Sequence, residues 1–463
     1  MSKFSIHFNI SERKVLLKVL DILSVLLVLY GVSHIFEFNY FVINRANWKG
    51  IVILVIYLAL FGAIFELYDL QKASKIDKTF ANIVLTVSTT VLFYLLTPFY
   101  SPFLPDNRLQ ILYFYGSILL GLFIWRWMYI SFIASPRFYK KALVVGEFSN
   151  IKAVVAEFKT SDPNYHIVGF VNTEIDRDNG IKFDGLKEFN PKDICQVVEE
   201  EKISEIVIAS YHPEAITVEI YRDLITLLES GFPIKEYTQI YEEMTQSVPV
   251  QFIGKDFYKY FPFSRNNQNK LYLFFRRLFD IIISVIGIIG GGILLPLILI
   301  GNIIGNRGKL FYKQERVGKN GRLFQMIKFR SMIKNAEKDR AVWAEKNDVR
   351  ITPFGRFLRY SRLDEIPQFI NILKGEMSLI GPRPERPPFV KELSALIPFY
   401  ETRHMVKPGL TGWAQVKMKY GNSTDDSLLK LQYDLFYIKY RSFFLDFNIV
   451  VKTISTIIFF RGQ

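Results

Sequence analysis

The residues best suited to chemistry in this sequence are two adjacent carboxylates, Asp364 and Glu365, with basic residues on either side. Three arginines precede them at every third position: Arg356, Arg359 and Arg362. A turn-prone Gly-Pro-Arg-Pro run places Arg383 after them. Proteins usually hold magnesium through one or two carboxylates together with substrate phosphates, and arginine forks match phosphate oxygens. The pattern therefore indicates Mg²⁺ bound by the acidic pair, and a phosphorylated substrate.

A short amphipathic helix is predicted directly after the acidic pair. Its apolar residues follow i, i+3, i+4, i+7 spacing: Ile366, Phe369, Ile370 and Leu373. Pro367 fits only a first turn, so the helix should begin close to Asp364, and Gly375 should end it. Asp364 would then lie at a positive helix end, which also favours phosphate. The alternative for such a pair alone is a capped surface helix with solvated charges.

Two further basic groups could meet substrate phosphates. Lys328 and Arg330 alternate with apolar residues in the strand-like run Phe324–Arg330, which would put both on one face of a strand. The alternative is a solvated strand face. The arginines at every third position would align on a helical turn, where contact with lipid headgroups is the alternative for Arg356 and Arg362.

Four ordered motifs carry a resemblance to a known family. They are Lys328–Met332 (KFRSM), Leu363–Gln368 (LDEIPQ), Met377–Pro384 (MSLIGPRP) and Lys407–Val416 (KPGLTGWAQV). This set resembles the bacterial sugar transferases, also called polyprenyl-phosphate glycosylphosphotransferases or monotopic phosphoglycosyl transferases. The match runs from about Lys270 to the C-terminus. The region before it is similar to the large members that prime exopolysaccharide, capsule or O-antigen synthesis.

The resemblance implies a reaction and roles for residues. A UDP-sugar, glucose or galactose being expected, would give its hexose 1-phosphate to undecaprenyl phosphate and release UMP. Asp364 would attack the β-phosphate and carry the phospho-sugar, and Glu365 would help to hold magnesium or to position the reacting groups. The substrate-binding residues would be Lys328, Arg330, Arg359 and Arg383. From the residues alone, direct attack by the lipid phosphate, with Asp364 only a metal ligand, remains open.

Composition indicates a membrane protein. Of the 463 residues, 50% are hydrophobic and 16% aromatic. The formal net charge is +14, but the basic residues flank apolar segments, which favours an anionic membrane surface and anionic substrates over nucleic acid. Cys195 is the only cysteine, which excludes an intrachain disulfide and a thiolate zinc site.

Residues 1–136 are predicted to form a four-helix transmembrane domain. Its apolar segments are Val15–Phe36, Gly50–Leu67, Ala81–Leu96 and Leu109–Ile133. Lysines and arginines are concentrated before the first segment, between the second and third, and after the fourth. The positive-inside rule then places the N-terminus, and the chain immediately after Arg137, in the cytoplasm. The expected location is the bacterial inner membrane, with the middle and catalytic domains on its cytoplasmic face.

Residues 137–250 are predicted to form a Rossmann-like α/β domain, because strand-like runs alternate with helix-like runs. The strand-like runs are Ala142–Gly146, Ile167–Val171 and Glu205–Ala209, and the helix-like runs are Asp193–Glu201 and Pro213–Glu229. A complete G-x-G-x-x-G is missing, and Glu147 stands where a pyrophosphate would need bare amides. A structural or regulatory role is therefore favoured over nucleotide binding. Residues 251–270 are predicted to be a linker.

Residues 271–463 form the predicted catalytic domain, which begins with a long apolar segment at about 275–305. Both ends of this segment are basic and Pro296 lies inside it, which argues against a simple crossing. The family resemblance implies a re-entrant helix bent at Pro296, while a fifth span is the alternative. The run Phe443–Phe460 favours an amphipathic helix lying on the membrane. A homodimer is expected only by similarity to large members of the family.

Two other function classes make contrary predictions. A membrane-attached nucleotide-sugar dehydratase or epimerase needs an intact glycine fingerprint and a Tyr-x-x-x-Lys in the soluble domain. The only such spacing is Tyr68–Lys72, beside an apolar segment. A non-enzymatic scaffold of polysaccharide assembly would be expected to have lost Asp364, Glu365 or Arg383, and all three are present. The transferase is therefore the preferred prediction.

Overall fold

The computed structural model describes fourteen stretches of the chain: residues 10–36, 38–73, 76–97, 100–133, 140–147, 151, 155, 158, 165–173, 186–210, 216–250, 269–333, 348–418 and 423–459. The chain divides into two compact units, Met1–Thr245 and Gln246–Gln463. Val248 and Val250 belong to a hydrophobic core of the second unit. Most of the predicted linker, residues 251–268, lies outside the described residues.

The apolar segments of the first unit all form helices. Their bounds are Ile10–Ile35, Trp48–Ile64, Ile76–Leu95 and Leu109–Met128. All four contribute to one buried cluster, which includes Val25, Leu54, Val87 and Ile118. Within the described part of this unit, Glu12–Ile35 and Leu109–Phe132 are long and apolar enough to cross a membrane, while Trp48–Ile64 and Thr79–Leu95 are shorter. The count of four spans therefore stays a prediction.

A buried ion pair joins the first and last of these helices. Nη2 of Arg126 lies 2.6 Å from Oδ2 of Asp21, and both side chains are almost wholly buried. A charge among apolar side chains is costly unless it is paired. The pair therefore sets the register of one helix against the other, which no spacing in the sequence indicated.

After its apolar helices, the first unit is built on a parallel sheet. Its strands are β1 (Lys140–Gly146), β2 (Tyr165–Asn172), β3 (Lys187–Glu188), β4 (Glu205–Ala209) and β5 (Ile234–Glu236). Their spatial order is β3-β2-β1-β4-β5, with every pair parallel. The helices with described bounds are Ile194–Glu200, Val218–Glu229 and Tyr237–Thr245. The three predicted strands fall within β1, β2 and β4, so the prediction of a parallel α/β sheet is confirmed.

The first helix of the second unit with described bounds is the membrane helix, Lys270–Gly301, which continues as a π-helical turn, Asn302–Asn306. A hairpin follows, made of β6 (Phe311–Val317) and β7 (Leu323–Phe329). Two short strands, β8 (Ser378–Ile380) and β9 (Gly409–Thr411), pair in parallel. The remaining α-helices are Pro353–Tyr360, Gln368–Lys374, Pro387–Leu396, Trp413–Lys417, Thr424–Tyr440 and Phe443–Ile458.

The membrane helix lies against the segment that carries the acidic pair. A Cβ atom on Gly291 would come within 2.5 Å of the Ile366 side chain, and one on Gly287 within 2.4 Å of the Phe369 ring. The helix runs through Pro296 without ending there. The re-entrant path therefore stays a prediction, while the glycines explain how closely the helix approaches the rest of the unit.

The last helix exposes large apolar side chains. Phe444 is 90% exposed and Phe447 is 63% exposed, while Asp446 on the same helix is buried. Tyr272 and Tyr437 both donate hydrogen bonds to the Asp446 carboxylate, at 2.6 and 3.0 Å. One face of the helix is thus fixed to the unit, and the other is apolar and exposed. Its place at a membrane surface stays a prediction.

The packing of the membrane helix predicts unequal effects at neighbouring glycines. Gly291→Leu should lower the melting temperature of the detergent-solubilised protein, since overpacking against Ile366 costs about 1–3 kcal/mol. Gly290→Leu is the matched control, because a Cβ at Gly290 meets nothing within 4 Å. Melting curves of both variants test this packing. Equal melting temperatures for the two variants would contradict it.

Candidate active site

The acidic pair lies on its own tight turn. Leu363–Glu365 is a 3₁₀ turn, and Arg362 before it has a left-handed backbone with φ of 58°. The helix begins only at Gln368, with Pro367 immediately before it. The expectation that the helix would begin close to Asp364 is therefore wrong. Pro367 has no N–H to donate, and the amides of Ile366 and Phe369 bond the carbonyls three residues back, so the pair forms a separate 3₁₀ turn before the helix. The predicted end is confirmed, since Gly375 ends the helix with φ of 83°.

Two cations hold Glu365. Nζ of Lys328 on β7 lies 3.1 Å from its Oε1, and Nη2 of Arg383 lies 3.0 Å from the same oxygen. Nη1 of Arg362 is 4.0 Å away. Burial alone would raise the pKa of Glu365, but Lys328, Arg383 and Arg362 outweigh it and lower the pKa below its usual value. Glu365 is therefore a carboxylate that stays ionised.

Asp364 has a different environment although it is the next residue. It is buried, and its Oδ1 has no hydrogen-bond partner among the described residues. Burial raises the pKa of Asp364, and the positive charge of Lys328 only partly offsets this. One member of the pair is thus fastened by cations, and the other keeps an oxygen free of protein donors. That asymmetry is what a nucleophile or a metal ligand needs.

The arginines before the pair do not all lie on one helix. The helix Pro353–Tyr360 ends before Arg362, so the predicted alignment of three arginines is wrong for that residue. Nε of Arg359 donates a hydrogen bond to Oγ of Ser331 at 2.9 Å, and Arg359 also lowers the pKa of Asp364. Arg356 is exposed. Arg362 still approaches Glu365, but it does so from the turn before the acidic pair and not from the helix.

Among the predicted phosphate-binding residues, the structure brings Lys328, Arg359 and Arg383 to the acidic pair. It does not bring Arg330 there. Nε of Arg330 donates to the Lys309 carbonyl at 2.9 Å, and its guanidinium lies over the Tyr312 ring. Arg330 follows the last residue of β7, Phe329, so it lies at the end of the hairpin rather than on the strand.

The donor set of the pair fits Mg²⁺. Asp364 offers an unpartnered buried oxygen, and Glu365 is an adjacent ionised carboxylate. Among the described residues, no group of three or more His, Cys, Asp or Glu side chains is placed to hold a metal ion. A cation held by two carboxylates takes its remaining ligands from substrate phosphates and water, which is the usual manner for magnesium.

A buried charge network behind Arg383 was not predicted from the sequence. It contains Arg316, Glu385, Arg403, Lys430 and Asp434. Burial would raise the pKa of Glu385, but Lys430, Arg403 and Arg316 together lower it to about 2. The signal in the sequence was weak, because these residues are far apart and follow no spacing rule.

The membrane helix also positions the site through its charged end. Arg277 donates to the carbonyls of Ile372 and Leu373, at 2.6 and 2.7 Å. These carbonyls are in the last turn of the helix that follows the acidic pair, where a cation is favoured. Oδ1 of Asp280 accepts from the Leu379 amide at 2.9 Å. In the sequence, the basic residues at this end of the apolar segment had indicated topology alone.

Comparison with known proteins identifies what this unit is similar to. A family model described as bacterial sugar transferase matches residues 271–460. A UDP-N-acetylgalactosamine-undecaprenyl-phosphate N-acetylgalactosaminephosphotransferase of Aeromonas hydrophila is 38% identical over 257 residues, 55% of this chain and 59% of the relative. A UDP-glucose:undecaprenyl-phosphate glucose-1-phosphate transferase of Xanthomonas campestris pv. campestris is 44% identical over 177 residues, 38% of this chain and 37% of the relative.

A shorter relative is covered over most of its length. This Bacillus subtilis (strain 168) protein, named as a candidate undecaprenyl-phosphate N-acetylgalactosaminyl 1-phosphate transferase, is 44% identical over 144 residues. The matched segment is 30% of this chain and 79% of that relative. The chain thus spans most of the short relative, but only 59% and 37% of the two longer ones.

The depressed pKa of Glu385 predicts how the stability of this unit depends on pH. A carboxylate whose folded pKa is below its unfolded value stabilises the fold above about pH 4.5, and the contribution is lost as pH falls towards 2. Glu385→Gln should lower the melting temperature at pH 7, because removing one partner of a buried charge network costs about 3–5 kcal/mol. The deficit should shrink as pH falls below 4.5, which melting curves at several pH values measure.

Glu392→Gln is the control for this prediction, since Glu392 is exposed. It should leave the melting temperature nearly unchanged at each pH. A deficit in Glu385→Gln that is equally large at pH 3 and pH 7 would contradict the assigned ionisation of Glu385.

Proposed function

The chain belongs to the bacterial sugar transferase family, and we therefore propose that it transfers a sugar 1-phosphate from a UDP-sugar to undecaprenyl phosphate, releasing UMP. The names of the relatives describe transfer of glucose 1-phosphate or N-acetylgalactosamine phosphate by those proteins. A hexose, glucose or galactose, is the donor sugar we favour. The product would be the first lipid-linked sugar of an exopolysaccharide, capsule or O-antigen.

The observation that carries this proposal is the asymmetry of the acidic pair. Glu365 is held by Lys328 and Arg383, whereas the neighbouring Asp364 keeps a buried oxygen free of protein donors. A group that must attack phosphorus needs an unshared electron pair that no donor occupies. A carboxylate that only holds neighbouring charged groups in place, by contrast, is best bound by several donors. The two carboxylates therefore suit two different roles.

In the proposed first step, a carboxylate oxygen of Asp364 attacks the β-phosphorus of the UDP-sugar. The bond from this phosphorus to the bridging oxygen breaks, and UMP departs with that oxygen and its electron pair. Arg383 and Arg359 lie beside the pair and can offset the negative charge of the diphosphate. Asp364 must be ionised to attack, so its raised pKa places the active form on the alkaline side of that pKa.

In the proposed second step, an oxygen of undecaprenyl phosphate attacks the same phosphorus, and the Asp364 carboxylate leaves. The sugar is then joined to the lipid through a diphosphate. Mg²⁺, when bound by Asp364 and Glu365, would supply charge neutralisation for the phosphate oxygens. Lys328 keeps Glu365 ionised and in place for that purpose.

The two other function classes lose support. A dehydratase or epimerase would place its chemistry in the parallel sheet, yet the glycine fingerprint there is incomplete, and Glu147 after β1 accepts a hydrogen bond from Ser210. A scaffold without activity gives no reason for an unpartnered carboxylate oxygen in a buried site. The transferase therefore remains the proposal.

We also propose that the membrane helix is re-entrant, with both ends on the cytoplasmic side. The candidate span Lys270–Asn306 has 37 residues, roughly 55 Å if straight, against a hydrocarbon core of about 30 Å. Near its start Arg277 bonds the Ile372 carbonyl, and at its end Asn306 bonds the Arg330 carbonyl at 2.6 Å. Contacts of both ends with one polar unit favour return to the same face, with Pro296 at the bend.

The reaction predicts UMP release that depends on lipid and magnesium. Purified full-length protein would be given undecaprenyl phosphate, Mg²⁺ and a panel of UDP-sugars: UDP-glucose, UDP-galactose and UDP-N-acetylgalactosamine. One donor should give UMP, and Asp364→Asn should lower the rate about 10³-fold or more, because the nucleophile is lost. Asp425→Asn is the matched control, since Asp425 is exposed. No UMP from any donor would contradict the proposal.

The covalent route has its own test. Without lipid, wild type should retain radiolabel from a sugar-labelled UDP-sugar, and Asp364→Asn should retain none. Equal labelling of both proteins would overturn attack by Asp364.

The re-entrant path predicts the same accessibility for both ends of the membrane helix. In a Cys195→Ser background, single cysteines at the exposed positions Lys270 and Lys309 should both resist a membrane-impermeant maleimide in intact cells. Both should react once the cells are opened. Reaction of one site alone from outside would indicate a fifth span instead.

A further inference from the structure

The segment that carries Arg383 is fastened along its backbone. We name Gly381–Glu385 the arginine loop. Every carbonyl from Pro382 to Glu385 accepts a hydrogen bond from a distant segment of the chain. In order, the donors are the Gly409 amide at 2.8 Å, Nη2 of Arg403 at 3.1 Å, Nη1 of Arg316 at 2.9 Å and the Val317 amide at 2.9 Å. Such complete backbone bonding makes the loop rigid.

Arg403 is the donor that reaches the Arg383 residue itself. Its side chain is 1% exposed, so its charge must be compensated by buried partners. Nη2 donates to Asp434 at 2.7 Å as well as to the Arg383 carbonyl, and Nη1 donates to the Tyr400 hydroxyl at 2.6 Å. The Glu385 carboxylate lies 3.9 Å away. One guanidinium fork therefore links the arginine loop to two other elements.

The prolines on either side make this anchoring effective. Pro382 and Pro384 have fixed φ angles, so few torsions remain to aim the side chain between them. With the Arg383 carbonyl held, the guanidinium has a defined origin from which to reach Oε1 of Glu365 at 3.0 Å. A loop free to shift by an ångström would lose that contact.

We propose that Arg403 is a positioning residue for the transferase reaction, which holds the Arg383 carbonyl so that the Arg383 guanidinium meets Glu365 and the donor diphosphate. The inference rests on the proposed function for its kinetic consequence. Tyr400 and Asp434 fix the orientation of the Arg403 fork. Arg403 itself lies behind the loop and acts only through Arg383.

A kinetic double-variant cycle tests the inference in the full-length enzyme. Arg403→Lys keeps the charge opposite Asp434 but loses the fork, and should lower kcat/KM for the UDP-sugar about 10- to 100-fold. Tyr400→Phe removes one hydroxyl and should lower it about fivefold. In an Arg383→Ala background each change should cost less than roughly twofold, because the group being positioned is already absent.

A general loss of structure would give a different pattern. Tyr437→Phe is the matched control, since Tyr437 is also buried and also bonds a carboxylate, that of Asp446. Its effect should be the same with Arg383 present or absent. If Arg403→Lys and Tyr400→Phe each cost as much in the Arg383→Ala background as in wild type, Arg403 does not act through Arg383 and the proposal is overturned.

Melting temperatures of the same variants provide a readout that needs no turnover. Arg403→Lys and Arg383→Ala together should lower the melting temperature by less than the sum of their separate effects, because Arg383→Ala removes the contact between the guanidinium and Glu365 that Arg403→Lys weakens, while the main-chain carbonyl of residue 383 stays in place. Tyr437→Phe and Arg383→Ala should add. Additive shifts for the first pair overturn the inference. An absence of UMP from wild type, by contrast, would refute the proposed function and leave this measurement valid.

Discussion

The geometry of the candidate active site depends on one constraint: the buried carboxylate of Glu365 must stay ionised. Glu365 is stable as an anion because Lys328 and Arg383 both reach its Oε1 and Arg362 lies nearby. The first two cations come from a hairpin strand and from the arginine loop, so the hairpin, the loop and the tight turn of the acidic pair must be held in fixed relative positions. Asp364 beside Glu365 is buried, and its Oδ1 has no hydrogen-bond partner among the described residues. The two adjacent carboxylates therefore differ in their chemistry: Glu365 is held by cations, and Asp364 has a buried oxygen without a hydrogen-bond donor.

This requirement explains why so much of the second unit is polar inside. The membrane helix sends Arg277 to the end of the helix after the acidic pair and Asp280 to β8, just before the arginine loop. Arg403 and Arg316 hold successive carbonyls of that loop from behind. A buried ionic network is weak evidence of stability, because desolvation offsets much of the attraction. The role of the network here is geometric, since it fixes the position of the Arg383 backbone.

The two faces of the membrane helix have different surroundings. One face carries glycines that admit Ile366 and Phe369 closely, and the other carries exposed apolar residues such as Ile289 and Ile293. The acidic pair is therefore built directly against a helix that, on the proposed topology, lies in lipid. The proposed reaction requires a soluble UDP-sugar and a lipid phosphate to meet at one carboxylate. On that topology, close packing of the helix on Ile366 and Phe369 would bring the carboxylate to the boundary between lipid and water.

The sequence by itself determined which residues could do chemistry, the apolar helices and the parallel sheet. Adjacent carboxylates, arginines and turn residues are local patterns, and apolar periodicity reports burial directly. Only the tertiary structure decided how the charges are shared. The acidic pair formed a separate turn before the helix, Arg330 bonded Lys309 instead of the pair, and the network behind Arg383 joined residues far apart in the chain. Partner choice among several arginines depends on distances of a few ångströms, which spacing along a chain does not encode.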